Sequence, residues 1–215
     1  MDSRLAELTR WVQQLPGLVD ADITPVSGDA SFRRYFRAAT DTTTYIVMDA
    51  PPDKEDCRPF IALAQHWHAH GVPVPALMAQ NLSDGFLLLE DFGDQQYLPA
   101  LNPASVEAMY GCALEALVHL QGVSAPADYP LPPYDDALLD REMALFRDWL
   151  VCQKLGLHLS AGEEALLTET FACLRATALE QPRVTVHRDY HSRNLMLRPQ
   201  GGLGILDFQD AVQGP

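Results

Sequence analysis

The segments VHRDYHSRNLM at residues 186–196 and GILDFQD at residues 204–210 decide the fold of this chain. Both place polar side chains between short apolar runs, and an Asp beside buried strands is costly unless it binds something. Asn194 follows Asp189 by five residues, and Asp207 follows Asn194 by thirteen. Carboxylate and amide oxygens are the hard ligands that Mg²⁺ prefers. The two segments therefore make Asp189, Asn194 and Asp207 candidates for one polar binding site.

The same spacings occur in protein kinases, where a catalytic loop HRDxxxxN precedes a metal-binding Asp on the next hairpin. With ILDF at residues 205–208, the loop resembles that of the aminoglycoside phosphotransferase family of kinase-like proteins. Two further stretches extend the resemblance over nearly the whole chain. FLLLEDFG at residues 86–93 is similar to the family's interlobe hinge, and GDASFRRYFR at residues 28–37 is similar to its phosphate loop and second strand.

The resemblance implies an α+β, bilobal protein-kinase-like fold. The small β-rich N-lobe is expected at residues 1–91, and the mainly helical C-lobe at residues 92–215. Members of the family continue well past the metal-binding Asp. The chain is therefore expected to be a C-terminally truncated copy whose C-lobe lacks its last helices.

The resemblance also implies ATP and Mg²⁺ as cofactors and assigns roles to residues. Asp189 is expected to orient and deprotonate the attacking hydroxyl, and Asn194 and Asp207 to ligate Mg²⁺. The hinge backbone is expected to meet adenine, which would lie between two methionines. The residues expected at the nucleotide are Ser31, Phe32, Arg33, Arg34, Met48, Glu90, Asp91, Phe92 and Met196.

Three side chains are candidate substrate contacts: His191, Arg193 and Glu142. For His191 the alternatives are an indirect contact or a surface position. Glu142 lies on a helical stripe with Trp149, and such a stripe is more often packing than a platform for a sugar. The loop at residues 28–31 has one Gly, so by itself it is equally typical of an ordinary hairpin turn.

Within the family, the phosphate loop and VMDAPP at residues 47–52 look most like bacterial kinases of amino sugars. This implies ATP-dependent phosphorylation of N-acetylmuramate or N-acetylglucosamine at the anomeric hydroxyl, in cell-wall recycling. One alternative is an aminoglycoside- or choline-type phosphotransferase, which the acidic net charge favours slightly because it would attract a cationic acceptor. Another is a non-catalytic nucleotide-binding module.

Two departures from the kinase pattern concern charge. Kinase-like proteins usually carry a Lys on the third strand. Here IVMD at residues 46–49 is expected to be that strand, which puts Asp49 at the position of the Lys. The helix predicted at residues 57–70 contains no Glu to pair with such a Lys. An Asp facing the triphosphate would repel it, so Arg33 or Arg34 is expected to bind the phosphates, since guanidinium groups bind phosphate bidentately.

Composition excludes several classes of protein. The 215 residues carry 15 Lys and Arg against 29 Asp and Glu, a formal net charge of −14, which argues against a nucleic-acid partner. Apolar runs are far shorter than the roughly 20 residues of a membrane span, and no secretory signal opens the chain. The four cysteines lack any CxxC pair, which predicts reduced core thiols in a cytoplasmic protein.

Hydrophobic periodicity and turn signals predict the elements. Ser160 and Glu163 form a predicted capping box at the start of the last helix. Helices are expected at residues 3–15, 57–70, 103–120, 135–155 and 161–180, and strands at 22–27, 34–38, 44–48, 76–80, 86–90, 184–186 and 203–206.

The sequence also leaves two alternative metal sites open. His187, Asp189 and His191 alternate, so an extended segment would place all three on one face as in a metal hydrolase. That interpretation leaves the spacing of Asn194 and Asp207 unexplained. On a helix, His66 and His70 share a face, but a solvated or packed helix face is the simpler interpretation.

Overall fold

The computed structural model describes residues 2–28 and 32–215, with only the backbone of residues 27 and 28. The first half of the chain has helices α1 (Ser3–Gln13), α2 (Arg58–Ala69), α3 (Tyr97–Ala100) and α4 (Val106–Gly122), and strands β1 (Asp22–Gly28), β2 (Arg34–Ala39), β3 (Thr44–Asp49), β4 (Leu77–Asn81) and β5 (Phe86–Glu90). The second half has helices α5 (Asp136–Leu145) and α6 (Ala161–Leu179), a π-helix (Phe146–Lys154), and strands β6 (Val184–Val186), β7 (Leu195–Leu197), β8 (Leu203–Ile205) and β9 (Val212–Gly214).

The chain forms two compact units. One comprises residues 1–120 and 189–209, and the other comprises residues 121–188 and 210–215. The α+β class predicted from the sequence is confirmed. The lobe boundary predicted after residue 91 stays a prediction.

The first unit is built on an antiparallel sheet in the order β1-β2-β3-β5-β4. Alternation along the strands gives this sheet two different faces. One face packs against α1 through Leu8, Val12, Phe36, Val47 and Phe86. The side chains of Tyr35, Ile46 and Leu89 alternate with that set and line a cavity.

A buried ion cluster joins α1 to the sheet. The side chain of Asp49 is fully buried and accepts hydrogen bonds from Arg4 Nε at 2.8 Å and from Arg34 Nε at 3.0 Å. Arg34 also pairs with Asp2. Two guanidinium groups thus compensate one buried carboxylate, as burial of a charge requires. The expectation that Asp49 faces the triphosphate was wrong, because its side chain is directed to the α1 side of the sheet.

Helix α2 covers the cavity side of the sheet. It begins with Pro at its second position and buries Phe60, Leu63, Ala64 and Trp67 at helical spacing. Phe208 is fully buried against it, with its ring centroid 4.8 Å from that of Phe60 and 5.5 Å from that of Trp67. This aromatic contact fixes the residue that follows Asp207.

The second unit contains α5, the π-helix, α6 and the strand pair β6–β9. Asp135 caps α5 by accepting from Leu138 N, and the predicted capping box of Ser160 and Glu163 is confirmed. The helix predicted over residues 135–155 changes to π geometry at Phe146. Helix α6, all of whose residues are described, buries none of them.

Three expectations about the chain can be compared with the structure. All four cysteines are free, but only Cys57 is buried, so the expectation of core positions was wrong for Cys112, Cys152 and Cys173. The two short strands predicted at residues 184–186 and 203–206 are both present, and β6 pairs with β9 while β8 pairs with β7. In the described part of the chain, none of the helices combines the length and apolar character needed to cross a membrane.

Candidate functional site

Asn194 brings the three predicted site residues together in the first unit. Its Nδ2 atom donates to the backbone oxygen of Asp189 at 3.0 Å and to Oδ2 of Asp207 at 3.2 Å. The loop between Asp189 and Asn194 closes through two turns, in which His191 N donates to Asp189 O and Asn194 N donates to His191 O. The five-residue spacing therefore brings the Asn194 side-chain amide within hydrogen-bond distance of the Asp189 backbone.

The thirteen-residue spacing follows from a hairpin. Strand β7 begins one residue after Asn194 and pairs with β8, with Leu195 opposite Ile205. The ladder continues by one bond, from Leu206 N to Asn194 O at 2.9 Å. Asp207 is the next residue, so the hairpin register sets its carboxylate beside the Asn194 amide.

Backbone strain occurs at this segment. Asp207 has φ 62° and Arg188, which precedes Asp189, has φ 74°. They are the only non-glycine residues with positive φ in the described part of the chain. Such a conformation costs about 1–2 kcal/mol and persists only where the surroundings enforce it. Strain at two positions beside the predicted catalytic residues points to a functional segment.

Tyr190 anchors the loop that carries Asp189. Its hydroxyl donates to the backbone oxygen of Ala113 in α4 at 2.6 Å. Burial, with a smaller contribution from Tyr97, raises the pKa of Tyr190 to about 12. The residue is therefore a neutral hydrogen-bond donor over the whole physiological pH range.

Asn194 and Asp207 have the chemistry of an Mg²⁺ site. The Asp207 carboxylate is exposed and accepts amide hydrogens from Asn194 and from Gln209 Nε2, the latter at 2.9 Å. A carboxylate and an amide oxygen on adjacent hairpin positions fit a hard cation that retains several waters. The donor set therefore fits the metal implied by the sequence.

The alternative metal sites find no support. Among the described residues, no three His, Cys, Asp or Glu side chains are grouped as a metal site. His187 is buried, whereas Asp189 and His191 are exposed. The three alternating residues of the metal-hydrolase interpretation are therefore not all accessible to one metal ion.

A cavity of about 340 Å³ adjoins Asn194 and Asp207 in the first unit. This volume lies within the range of small-molecule sites. Four of the predicted nucleotide residues line it, namely Glu90, Asp91, Phe92 and Met196, and so does the candidate substrate residue Arg193. Sequence reasoning missed other lining residues: Val26, Tyr35, Ile46, Phe60, Leu89, Gln96 and Leu206.

The link after β5 is held by side chains along the cavity. Phe92 is buried against Gly204, where a Cβ atom would lie 2.4 Å from its ring. Asp91 binds Arg37 through Nε at 2.6 Å and accepts from Gly93 N at 2.8 Å. Burial raises the pKa of Asp91, but Arg37, Gly93 and Thr44 outweigh it and lower the pKa below its usual 3.8.

The remaining predicted nucleotide residues are distributed differently. Met48 is fully buried, and Ile46 forms the cavity wall on its strand. Ser31 lies outside the described residues. Phe32 is largely exposed, and its backbone N–H donates to Glu55 Oε1 at 3.1 Å.

Arg33 and Arg34 point to different partners. Arg34 belongs to the ion cluster with Asp49 on the α1 side of the sheet. Arg33 pairs with Glu55. Burial lowers the pKa of Arg33, but interactions with Tyr35 and Glu55 outweigh it and raise the pKa above its usual value.

In the second unit, Glu142 is engaged with protein groups. Its Oε1 accepts from Arg188 Nη2 at 2.6 Å, and its Oε2 accepts from the Tyr134 hydroxyl. The Arg188 guanidinium also reaches the backbone oxygen of Asp210. The observed role of Glu142 is thus to bind the strained residue that precedes Asp189, and its role as a substrate contact stays a prediction.

A model of the phosphotransferase enzyme family matches residues 22–215. Curated proteins named N-acetylmuramate/N-acetylglucosamine kinase are similar to the whole chain: 45% identical in Pseudomonas aeruginosa and 44% in Pseudomonas putida. The protein of that name in Neisseria meningitidis is 37% identical over 99% of the chain. The chain spans 65% of the length of the two Pseudomonas proteins and 64% of the Neisseria protein.

Solved structures share the fold. An aminoglycoside phosphotransferase with ADP bound aligns with 100% of this chain and 72% of its own, with a TM-score of 0.68 at 14% identity. A choline kinase from Streptococcus pneumoniae aligns with 99% of this chain and 71% of its own, with a TM-score of 0.65 at 13% identity. At these identities the similarity establishes the fold.

Proposed function

We propose, from the premise that this chain belongs to the phosphotransferase enzyme family, that it forms the nucleotide- and metal-binding part of an ATP-dependent kinase. The acceptor is an amino sugar, N-acetylmuramate or N-acetylglucosamine, at its anomeric hydroxyl. The observation that carries the proposal is the contact of the Asn194 amide with both Asp189 and Asp207, where Asn194 and Asp207 line the cavity.

The chain's own residues divide the chemistry between them. Asp189 orients the attacking hydroxyl and takes its proton, while Asn194 and Asp207 hold Mg²⁺. When bound, this ion would neutralise charge on the phosphates. The backbone at residues 90–92 and the side chains of Ile46 and Met196 receive the adenine. Phosphoryl transfer depends mainly on such positioning and charge stabilisation.

The names of the curated relatives support the choice of acceptor. Two proteins named N-acetylmuramate/N-acetylglucosamine kinase share 44–45% of their aligned residues with this chain. Because the chain spans 65% of their length, the acceptor site requires a direct test on this polypeptide.

A panel assay tests the acceptor. The chain is incubated with ATP, Mg²⁺ and each of N-acetylmuramate, N-acetylglucosamine, an aminoglycoside and choline, and the products are analysed by mass spectrometry. We expect a phosphate on the two amino sugars. Phosphate on the aminoglycoside or choline alone would reassign the substrate class, and binding of MgATP without any product would identify a nucleotide-binding module.

Asp189→Asn tests the catalytic base. The variant should lose about 10²–10⁴-fold in kcat, which is the usual contribution of a general base, and should retain MgATP affinity. Asp53→Asn is the matched control, since it removes the same charge from a side chain that is 73% exposed. Turnover by Asp189→Asn at the rate of the unmodified chain would exclude Asp189 as the base.

A further inference from the structure

The cavity side of β3 offers no cation for a triphosphate. Ile46 and Met48 occupy that face of the strand, and Asp49 is directed to the α1 side, where Arg4 and Arg34 bind it. Phosphoryl transfer requires positive charge near the phosphates in addition to the metal. A cation must therefore come from another element.

Arg33 is positioned to provide that charge. It immediately precedes β2, and alternation along the extended chain places it on the same side of the sheet as Tyr35, which lines the cavity. Arg34, the next residue, lies on the opposite side with Asp2 and Asp49. The two arginines that the sequence could not distinguish are thus distinguished by their partners.

Glu55 holds Arg33 in place. Its Oε2 atom accepts from Arg33 Nε at 3.2 Å and lies 3.1 Å from Nη2, and its Oε1 atom accepts from Phe32 N at 3.1 Å. The side chains of the pair are only 12% and 14% exposed, so the contact is better shielded than a surface ion pair. One carboxylate therefore fixes both the Arg33 side chain and the backbone just before it.

We infer that Arg33, held by Glu55, binds the nucleotide phosphates in place of a lysine on the third strand. The inference rests on the proposed function, since it names the phosphate-binding cation of that site. Arg33 is the residue that contacts phosphate, and Glu55 is a positioning residue that acts through it. The pair joins the end of the phosphate-loop segment to the residues before α2, whereas a strand lysine would pair with a Glu inside that helix.

Titration calorimetry with two ligands tests the inference, using MgATP and adenosine. Arg33→Met should weaken MgATP binding about 10- to 100-fold, the value of one or two charge-assisted hydrogen bonds, and leave adenosine affinity within twofold. Arg58→Met is the matched control, because Arg58 pairs with the nearby Asp56 and is 79% exposed. Its MgATP affinity should equal that of the unmodified chain.

Arg33→Met leaves Glu55 without its cation and could unfold the chain, so a second variant is needed. Arg33→Met/Glu55→Met removes both charges, which avoids an uncompensated carboxylate, and it should show the same selective loss of MgATP affinity. Glu55→Gln, which keeps Arg33 but weakens its anchor, should give a smaller loss.

The results distinguish failure of the proposed function from failure of the inference about Arg33. If the unmodified chain binds no MgATP, both the proposed function and this inference fail. If the unmodified chain binds MgATP and the folded double variant binds it equally well, only the inference fails. Equal losses for MgATP and adenosine would also overturn it, because they would indicate a general change in the cavity.

Discussion

Tyr190, the residue beside the proposed catalytic base Asp189, is anchored by a hydrogen bond from its hydroxyl to the backbone oxygen of Ala113 in α4. Its pKa is raised to about 12, mainly by burial, from a usual value of 10.0. Unfolding at a pH between these values releases a proton, so the contribution of Tyr190 to stability is complete below pH 10 and is lost as the pH rises towards 12.

Tyr190→Phe should lower the free energy of unfolding by about 1 kcal/mol at pH 7, through loss of the hydrogen bond to Ala113 O. The difference between the two proteins should shrink above pH 10. Urea denaturation at pH 7, 10 and 11 measures this, with Tyr110→Phe as control for a more exposed tyrosine. A difference that stays constant up to pH 11 would contradict the assigned pKa.

Single residues also mark the limit of sequence reasoning. Asp189, Asn194 and Asp207 were selected by spacing, and the register of β7 with β8 gives that spacing its physical reason. The partners of Glu142 are Tyr134 and Arg188, and no local sequence pattern predicts these contacts. Long-range ion pairs depend on tertiary packing, so residue type alone cannot specify them.

At the scale of elements, Arg37 of β2 forms ion pairs with the segment that follows β5, at Asp91 and Asp94. Its guanidinium binds Asp91, which is 4% exposed, and Asp94, which is 74% exposed. Asp91, Asp94 and Phe92 line the cavity, so this ion pair determines the shape of its rim. Because Arg37 lowers the pKa of Asp91 below 3.8, the carboxylate contributes stability above that pH and loses it as the pH falls through the lowered value.

Arg37→Met should therefore lower the free energy of unfolding by about 2 kcal/mol at pH 7, since charged hydrogen bonds to a buried carboxylate are lost. The difference in free energy of unfolding between the variant and the unmodified chain should be smaller at pH 3 than at pH 7. Chemical denaturation at both pH values tests this. Arg58→Met should change stability by less than about 0.5 kcal/mol, as expected for an exposed pair. If this difference in free energy of unfolding did not depend on pH, Arg37 would stabilise the chain by packing alone.

The elements differ in how well the sequence predicts them. Helices α1 and α2 have an amphipathic pattern, helix α6 begins with a capping box, and strands β1 to β5 lie between turn signals. All were predicted within three residues of their ends. Strands β7 and β9 and helix α3, of three or four residues each, were missed, whereas the equally short strands β6 and β8 were predicted. The π-helix was read as α-helix because its apolar spacing of three to five residues suits both.

At the scale of the whole molecule, the family resemblance identified from four motifs is confirmed by a match over residues 22–215. The motifs are far apart along the chain, yet the β7–β8 hairpin, the link after β5 and strand β2 all belong to one compact unit. What the sequence could not supply was the side of the sheet that each side chain faces. The side of the sheet distinguishes Arg33 from Arg34, and it shows that the Asp49 side chain does not face the cavity.

The second unit exposes apolar side chains that predict self-association. Leu145, Phe146, Trp149 and Leu150 are 44–63% exposed, and residues four or five apart share one side of a helix. We call these four residues the 145–150 apolar face. Exposed apolar groups of this kind are typical of contact surfaces or sites of aggregation.

The net charge of −14 opposes association at low ionic strength, and salt screens that repulsion. Sedimentation velocity should therefore show a larger associated fraction in 0.5 M than in 0.05 M NaCl. Trp149→Gln should reduce that fraction severalfold because it removes the largest exposed side chain of the 145–150 apolar face. Val19→Ser, which removes a 64% exposed apolar side chain from the first unit, is the control and should leave association unchanged. A monomer at both salt concentrations would show that the 145–150 apolar face does not drive contact between copies of this chain.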